Sequence, residues 1–195
     1  MDSKELAPGI VVYSLPDIKN LLTEVSKAVE DGVAQWEDSA LYDSGLNAII
    51  VDKTFRNCQI IKVNYSEENN STPKEKFLYE MSKKFLEIFT PAETDYRNEF
   101  NPDIEKHANY QILKYPTGGH LSMHIDDGPG TPHRVSMLIY LNDNYEGGEI
   151  EFPRFNVKYK PKENDMILFP STYTYNHAVS TITSGERYCI ISWLN

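Results

Sequence analysis

Two stretches in the first half of the chain carry apolar residues at helical spacing. Ser14-Leu15-Pro16-Asp17 reads as an N-terminal cap with proline in the first turn. Ile18, Leu21, Leu22, Val25, Ala28 and Val29 then recur on one face until Asp31-Gly32 stops the pattern. Thr72-Pro73-Lys74-Glu75 has the form of a capping box, followed by Phe77, Met81, Phe85, Ile88 and Phe89. Thr90-Pro91 is the expected stop, since proline removes a helical donor. Both stripes predict helices packed on a sheet.

From Asn109 onward the period shortens. Apolar or alternating runs cover Tyr110–Tyr115, Leu121–Asp126, Val135–Leu141, Glu149–Phe152, Met166–Phe169, Ala178–Thr183 and Tyr188–Leu194. Gly- and Pro-containing clusters such as Thr117-Gly118-Gly119, Gly147-Gly148 and Ser184-Gly185 separate them. Many short strands at this spacing predict a sandwich or barrel. Residues 65–73 read as a polar surface loop. No internal repeat or long low-complexity linker divides the chain. The expected organisation is a single domain over 1–195, with a helical and strand support region at 1–108 and a β core at 109–195.

Composition narrows the class. With 195 residues, 40% of them hydrophobic and 12% aromatic, the chain can bury a sizeable core. A net charge of −10 argues against a nucleic-acid backbone as main partner, because phosphate binding wants a basic face. Two cysteines, Cys58 and Cys189, cannot build a disulfide framework, so a reducing setting is expected. The start lacks an apolar signal core, and no window approaches a membrane span. These features predict a soluble, cytoplasmic protein with no membrane partner.

The chemistry concentrates in the second half. His124-Ile125-Asp126 lies on a predicted strand, where alternation directs residues 124 and 126 to one face. An imidazole and a carboxylate can then reach a common ion, and His177, at the start of a later strand, is the natural third ligand. Two histidines and one carboxylate make the facial triad of non-heme iron(II) oxygenases, which leaves coordination positions open. An isolated His-x-Asp is also a common surface pair, and His107, His120 and His133 compete as ligands. Arg187 heads the apolar run Tyr188–Trp193, where a cation is costly unless a carboxylate meets it. Tyr115 and Tyr140 offer phenolic donors to the same anion.

The stretch from Tyr110 to Leu194 resembles the iron(II)- and 2-oxoglutarate-dependent oxygenases, in their prolyl 4-hydroxylase-like branch. Tyr115-Pro-Thr-Gly118 followed by His124-Ile-Asp126 matches that branch's signature in register. Tyr140-Leu-Asn-Asp143, Tyr145-Glu-Gly-Gly-Glu149 and Phe152-Pro153 are similar to its middle segment. Asp165–Phe169, His177-Ala-Val179, Gly185-Glu-Arg187 and Trp193 are similar to its final strands. The resemblance implies an α+β fold whose core is a double-stranded β-helix, or jelly roll, buttressed by the N-terminal helices. It implies iron ligation by His124, Asp126 and His177. It further implies that Arg187, assisted by Tyr140, holds the far carboxylate of 2-oxoglutarate. Tyr115 would position the cosubstrate, and Trp193 would lie near the pocket mouth.

Three departures stand out. Arg187 occupies a place where many prolyl 4-hydroxylases carry lysine, Leu121 replaces a frequent aromatic, and Asn164 replaces a frequent glycine. None removes a metal ligand. The first weakens a collagen-type substrate.

The reaction implied is hydroxylation of an unactivated C–H bond with Fe(II), 2-oxoglutarate and O2, ascorbate being an accessory reductant. A peptidyl proline in a protein or peptide is the leading substrate. Gln35–Phe55, with Trp36, Tyr42, Ser44 and Gly45, and Gly128–Pro132 are candidate flaps over it. Rival readings are a hydroxylase of a free amino acid or small molecule, a non-catalytic metal- or ligand-binding jelly roll, and a zinc hydrolase.

Overall fold

The apolar runs of the second half form strands whose two faces are both covered, which is why they alternate so little. A computed structural model of the chain describes residues 1–195 apart from 19, 44–46, 64–70, 106 and 129–131, and apart from the side chains of 42 and 43. The first half contributes β1 (Ser3–Ala7), β2 (Ile10–Ser14), α1 (Asn20–Glu30), β3 (Glu37–Asp38), β4 (Leu41–Asp43), β5 (Ala48–Ile50), β6 (Arg56–Asn57), β7 (Gln59–Val63) and α2 (Pro73–Phe100). In the second half lie β8 (Tyr110–Tyr115), β9 (His120–His124), β10 (Val135–Tyr140), β11 (Glu146–Gly147), β12 (Ile150–Phe152) and β13 (Val157–Tyr159). The chain closes with β14 (Asp165–Pro170), β15 (His177–Val179), β16 (Ile182–Ser184) and β17 (Arg187–Leu194).

An eight-stranded antiparallel sheet, ordered β1-β2-β14-β10-β17-β8-β7-β3, faces a five-stranded sheet ordered β13-β12-β15-β9-β6. Leu113, Tyr115, Leu138, Tyr140, Ile167, Phe169 and Ile191 of the large sheet pack against Leu121, Ile150, Phe152 and Val179 of the small one. Their sequence neighbours Ile112, Met137, Ile139, Met166, Leu168 and Ile190 point the other way, onto Leu21 and Val25 of α1 and Met81, Phe85 and Phe89 of α2. Alternation along each strand thus feeds two cores, one between the sheets and one under the helices. This is the jelly roll with helical buttress that the sequence implied.

Four expectations change in detail. α1 begins at Asn20 rather than at the Ser14–Asp17 cap pattern. That segment is tied down instead by Asn164, whose carbonyl accepts from Leu15 N–H at 2.9 Å and whose side-chain oxygen accepts from Ile18 N–H at 3.2 Å. Asn164 sits at φ 69°, the left-handed region that a glycine would adopt freely. α2 keeps its capping box at Thr72 and Glu75 but runs through Pro91 to Phe100. Burial of Ala92 and Tyr96 extends the apolar stripe, and that packing outweighs the lost helical bond, which costs about 3 kcal/mol. The expected strand Ala178–Thr183 is two strands, β15 and β16, paired in different sheets. The strand expected to end at Asp126 ends at His124, so Asp126 lies just past it.

The expected loop at 65–73 falls mostly outside the described residues, as do Ser44 and Gly45 of one expected flap and 129–131 of the other. Among the described residues, no helix is long and apolar enough to cross a membrane.

Candidate metal centre and cosubstrate pocket

β9 and β15 are adjacent in the small sheet, with His124 directly opposite His177. The imidazole rings lie 4.2 Å apart, centroid to centroid. Asp126 follows the end of β9 and turns back toward them, with one carboxylate oxygen 3.2 Å from His124 Nε2 and the other 3.8 Å from His177 Nε2. One ligand atom from each of the three residues lies within 4.8 Å of the others. His124 Nδ1 contacts Ser122 O at 2.9 Å and His177 Nδ1 contacts Tyr175 O at 3.1 Å. A proton on each Nδ1 satisfies those carbonyls and leaves both Nε2 lone pairs facing the centre of the triad.

The electrostatics suit a cation. Burial pushes the His177 imidazole down to about 4, so it is neutral and free to ligate at neutral pH. Burial also pushes the Asp126 carboxyl up, but His177, His124 and the Ser136 hydroxyl together reverse this and hold it well below the usual carboxylate range. Ser136 Oγ donates to Asp126 at 2.5 Å and meets Ser171 Oγ at 2.8 Å. The other histidines are engaged elsewhere. His107 contacts Glu93, His120 contacts Gly118 and Thr54, and His133 contacts Asn195.

Arg187 opens β17 opposite Tyr115 of β8 and is fully buried. Its guanidinium carbon lies 4.9 Å from the ring centroids of both Tyr115 and Tyr140. Its contacts are Gly148 O at 3.3 Å and the Cys189 thiol at 3.8 Å, and its Nε has no partner. The hydroxyls of Tyr140 and Tyr145 are likewise buried without partners. Burial raises the Tyr140 phenol well above its ordinary range, so it stays protonated and able to donate. A buried cation and two buried phenols without an anion among the described residues form a waiting carboxylate site. Gly148 makes room for it. A Cβ there would stand 2.4 Å from Ile182 and 3.0 Å from the Tyr145 ring, on a backbone at φ 69°.

The triad opens into a cavity of about 310 Å³ lined by Phe55, Arg56, Tyr115, Ile125, Leu138, Ile150, Val179 and Trp193 among others. Trp193 stacks on His133, centroids 4.8 Å apart and 10° between planes.

The sequence profile of the 2OG-Fe(II) oxygenase superfamily matches residues 110–195. Over those residues the chain is similar to that superfamily. A protein of Acanthamoeba polyphaga mimivirus, named for prolyl 4-hydroxylase, is 25% identical over 93% of this chain and 74% of its own length. A PKHD-type hydroxylase of Prochlorococcus marinus is 34% identical over 40% of this chain and 37% of its own. Among solved structures, a Trichoplax adhaerens prolyl hydroxylase in complex with a hypoxia-inducible factor peptide fragment superposes with a TM-score of 0.67 at 22% identity, covering 95% of this chain and 83% of that one. The viral collagen prolyl hydroxylase of Paramecium bursaria Chlorella virus-1, in its 2OG complex, gives 0.57 at 18% identity, with 95% of each chain covered. At these identities the two structures establish the shared fold.

The oxygenase cofactor set of Fe(II), 2-oxoglutarate and O2 fits the site on two counts. The donor set is the two-histidine, one-carboxylate triad suited to non-heme iron. Around Arg187, its Nε and the hydroxyls of Tyr140 and Tyr145 are buried polar atoms without partners among the described residues, of the kind a dicarboxylate would satisfy.

The structure brings His124, Asp126 and His177 together, places Tyr115 and Trp193 on the cavity beside them, and sets Arg187 against Tyr115 and Tyr140. Sequence reasoning missed Ser136, Ser171, Tyr145 and Arg56. Ser136 had a readable signal as the lone small polar residue in the apolar run Val135–Tyr140. Arg56 had none, since its short strand carries no periodic pattern.

Proposed function

We propose that this oxygenase hydroxylates a proline within a protein or peptide. His124, Asp126 and His177 would hold Fe(II), while Arg187 with Tyr140 and Tyr145 would hold the far carboxylate of 2-oxoglutarate. When bound, the metal and cosubstrate supply dioxygen activation, coupling oxidative decarboxylation of 2-oxoglutarate to hydroxylation of a C–H bond. The chain's own part is positional. Ser136 and Ser171 orient the Asp126 carboxylate, and the carbonyls of Ser122 and Tyr175 set the histidine tautomers. Tyr115, Leu138, Ile150 and Val179 line the cavity at the triad and keep it largely apolar. The prolyl hydroxylases among the relatives and structural neighbours support proline as the target. Ascorbate as an accessory reductant and a cytoplasmic location belong to the same proposal.

The observation that carries the reading is the buried guanidinium of Arg187, without an anion among the described residues and set against Tyr115, which lines the cavity of the facial triad. Anaerobic titration of the Fe(II)-loaded protein with 2-oxoglutarate tests it through the weak visible charge-transfer band of the chelate. A band in the wild type that is absent in His124→Ala is expected. Iron binding without a band would favour a non-catalytic module. Succinate release stimulated by proline-containing peptides then tests the substrate, and stimulation by free amino acids alone would replace the peptide reading.

A further inference from the structure

A second arginine enters the active-site cavity, and the roles assigned above leave it without a counter-charge. Arg56 lies on β6, the edge strand of the small sheet, in register with Leu121 of β9. Residues paired across antiparallel strands share a face, and Leu121 points between the sheets. Arg56 accordingly lines the cavity beside Tyr115, Asp126 and Trp193. Its Nε donates to the Cys58 thiol at 3.3 Å, which anchors one edge of the guanidinium and, among the described residues, leaves both Nη groups for another acceptor. Among the described residues, Asp126 is the carboxylate whose charge reaches it most strongly, and that group is committed to His124 and His177.

Charge counting decides what is missing. In the loaded site, the two positive charges of Fe(II) and the one of Arg187 balance the two of 2-oxoglutarate and the one of Asp126. Arg56 is then a partly buried cation with no further carboxylate among the described residues to neutralise it, an arrangement that is costly unless an anion arrives. The cosubstrate's carboxylates already have the metal and Arg187. Arg56 instead sits with Phe55 and Leu41 at the foot of the β4–β5 hairpin, whose Ile49 is 76% exposed.

We propose that Arg56 receives a carboxylate of the substrate, so that the preferred target is an acidic segment with Asp or Glu beside the hydroxylated proline. The inference rests on the peptidyl-proline reading above. The test uses fluorescent peptides of otherwise neutral sequence carrying one proline flanked by Asp, Asn or Lys. They are titrated anaerobically against protein loaded with Fe(II) and 2-oxoglutarate, with anisotropy as the readout. A charged hydrogen bond predicts that the wild type binds the Asp peptide about ten- to a hundredfold more tightly than the Asn peptide, with Lys weakest. Arg56→Gln should erase that gap and Arg56→Lys restore part of it. Equal binding of the Asp and Asn peptides by the wild type, or an undiminished gap in Arg56→Gln, overturns the proposal. So does a large loss of 2-oxoglutarate affinity in Arg56→Gln with the gap retained, which would assign Arg56 to the cosubstrate. Asp peptides that bind equally well without proline would sink the proline reading while leaving the role of Arg56 standing. Failure of every peptide to bind overturns both.

Discussion

Asp126 shows how much a single carboxylate depends on what surrounds it. Two imidazoles and the Ser136 hydroxyl converge on it, and that hydroxyl is fixed by Ser171, just past the end of β14. Partners of this kind orient a ligand oxygen, and losing one typically costs tenfold to a hundredfold in metal affinity. Ser136→Ala should therefore weaken Fe(II) binding by about that factor in a metal titration, with an unchanged melting temperature for the metal-free protein. Wild-type iron affinity in the variant would remove Ser136 from the site. Arg187 makes the complementary case. Arg187→Ala should raise the 2-oxoglutarate concentration needed for half-saturation by about tenfold to a hundredfold or more and leave Fe(II) affinity nearly intact. An unchanged cosubstrate requirement would show that the buried guanidinium serves the fold alone.

Among the elements, the pairing of β9 with β15 does most to create the site, because its register sets His124 against His177. A shift of one residue would turn both histidines away from the triad. The helices act from the far side of the large sheet. α2 lays Met81, Phe85, Phe89, Ala92 and Tyr96 on that sheet, and Tyr96 donates through its hydroxyl to Gly9 O at 2.8 Å. Its N-terminus is closed by reciprocal bonds: Thr72 Oγ1 accepts from Glu75 N–H at 3.2 Å, and Glu75 accepts from Thr72 N–H at 2.9 Å. Loss of such a cap costs about 1 kcal/mol. Thr72→Ala should thus lower the melting temperature by roughly 2–4 °C in a chain of this size, with 2-oxoglutarate affinity unmoved. A drop in cosubstrate affinity would show that the helical layer steers the pocket directly.

At the scale of the whole molecule, the burial of His177 couples stability to pH. His177 titrates near 4 in the folded state against 6.5 when unperturbed. Between those values the unfolded chain binds a proton that the folded one does not, so stability is full above about 6.5 and falls as pH drops toward 4. Asp126, held low, adds to the loss only at more acidic pH. The metal-free protein should be less stable at pH 5 than at pH 7 by about 2 kcal/mol in urea unfolding, following 1.36 kcal/mol for each pH unit inside the window. His177→Asn should flatten that dependence. An unflattened curve would place the acid sensitivity elsewhere.

The chain's linear order determined a good deal by itself. The alternating runs announced a sandwich or barrel. The string of motifs around His124, Asp126, His177 and Arg187 carried the resemblance that implied an oxygenase site on a jelly roll, because each of those signals is local to one short strand. The capping box of α2 was equally legible. What only the tertiary structure decided depends on contacts between distant segments. It carried α2 past Pro91, since burial of Ala92 and Tyr96 outweighs a local penalty. It enlisted the β1–β2 hairpin and β7 into the large sheet, through the remote pairings of β2 with β14 and of β7 with β8. It also set Ser171 behind Ser136 and turned Arg56 into the cavity, because no residue's own neighbours reveal which buried face it will share.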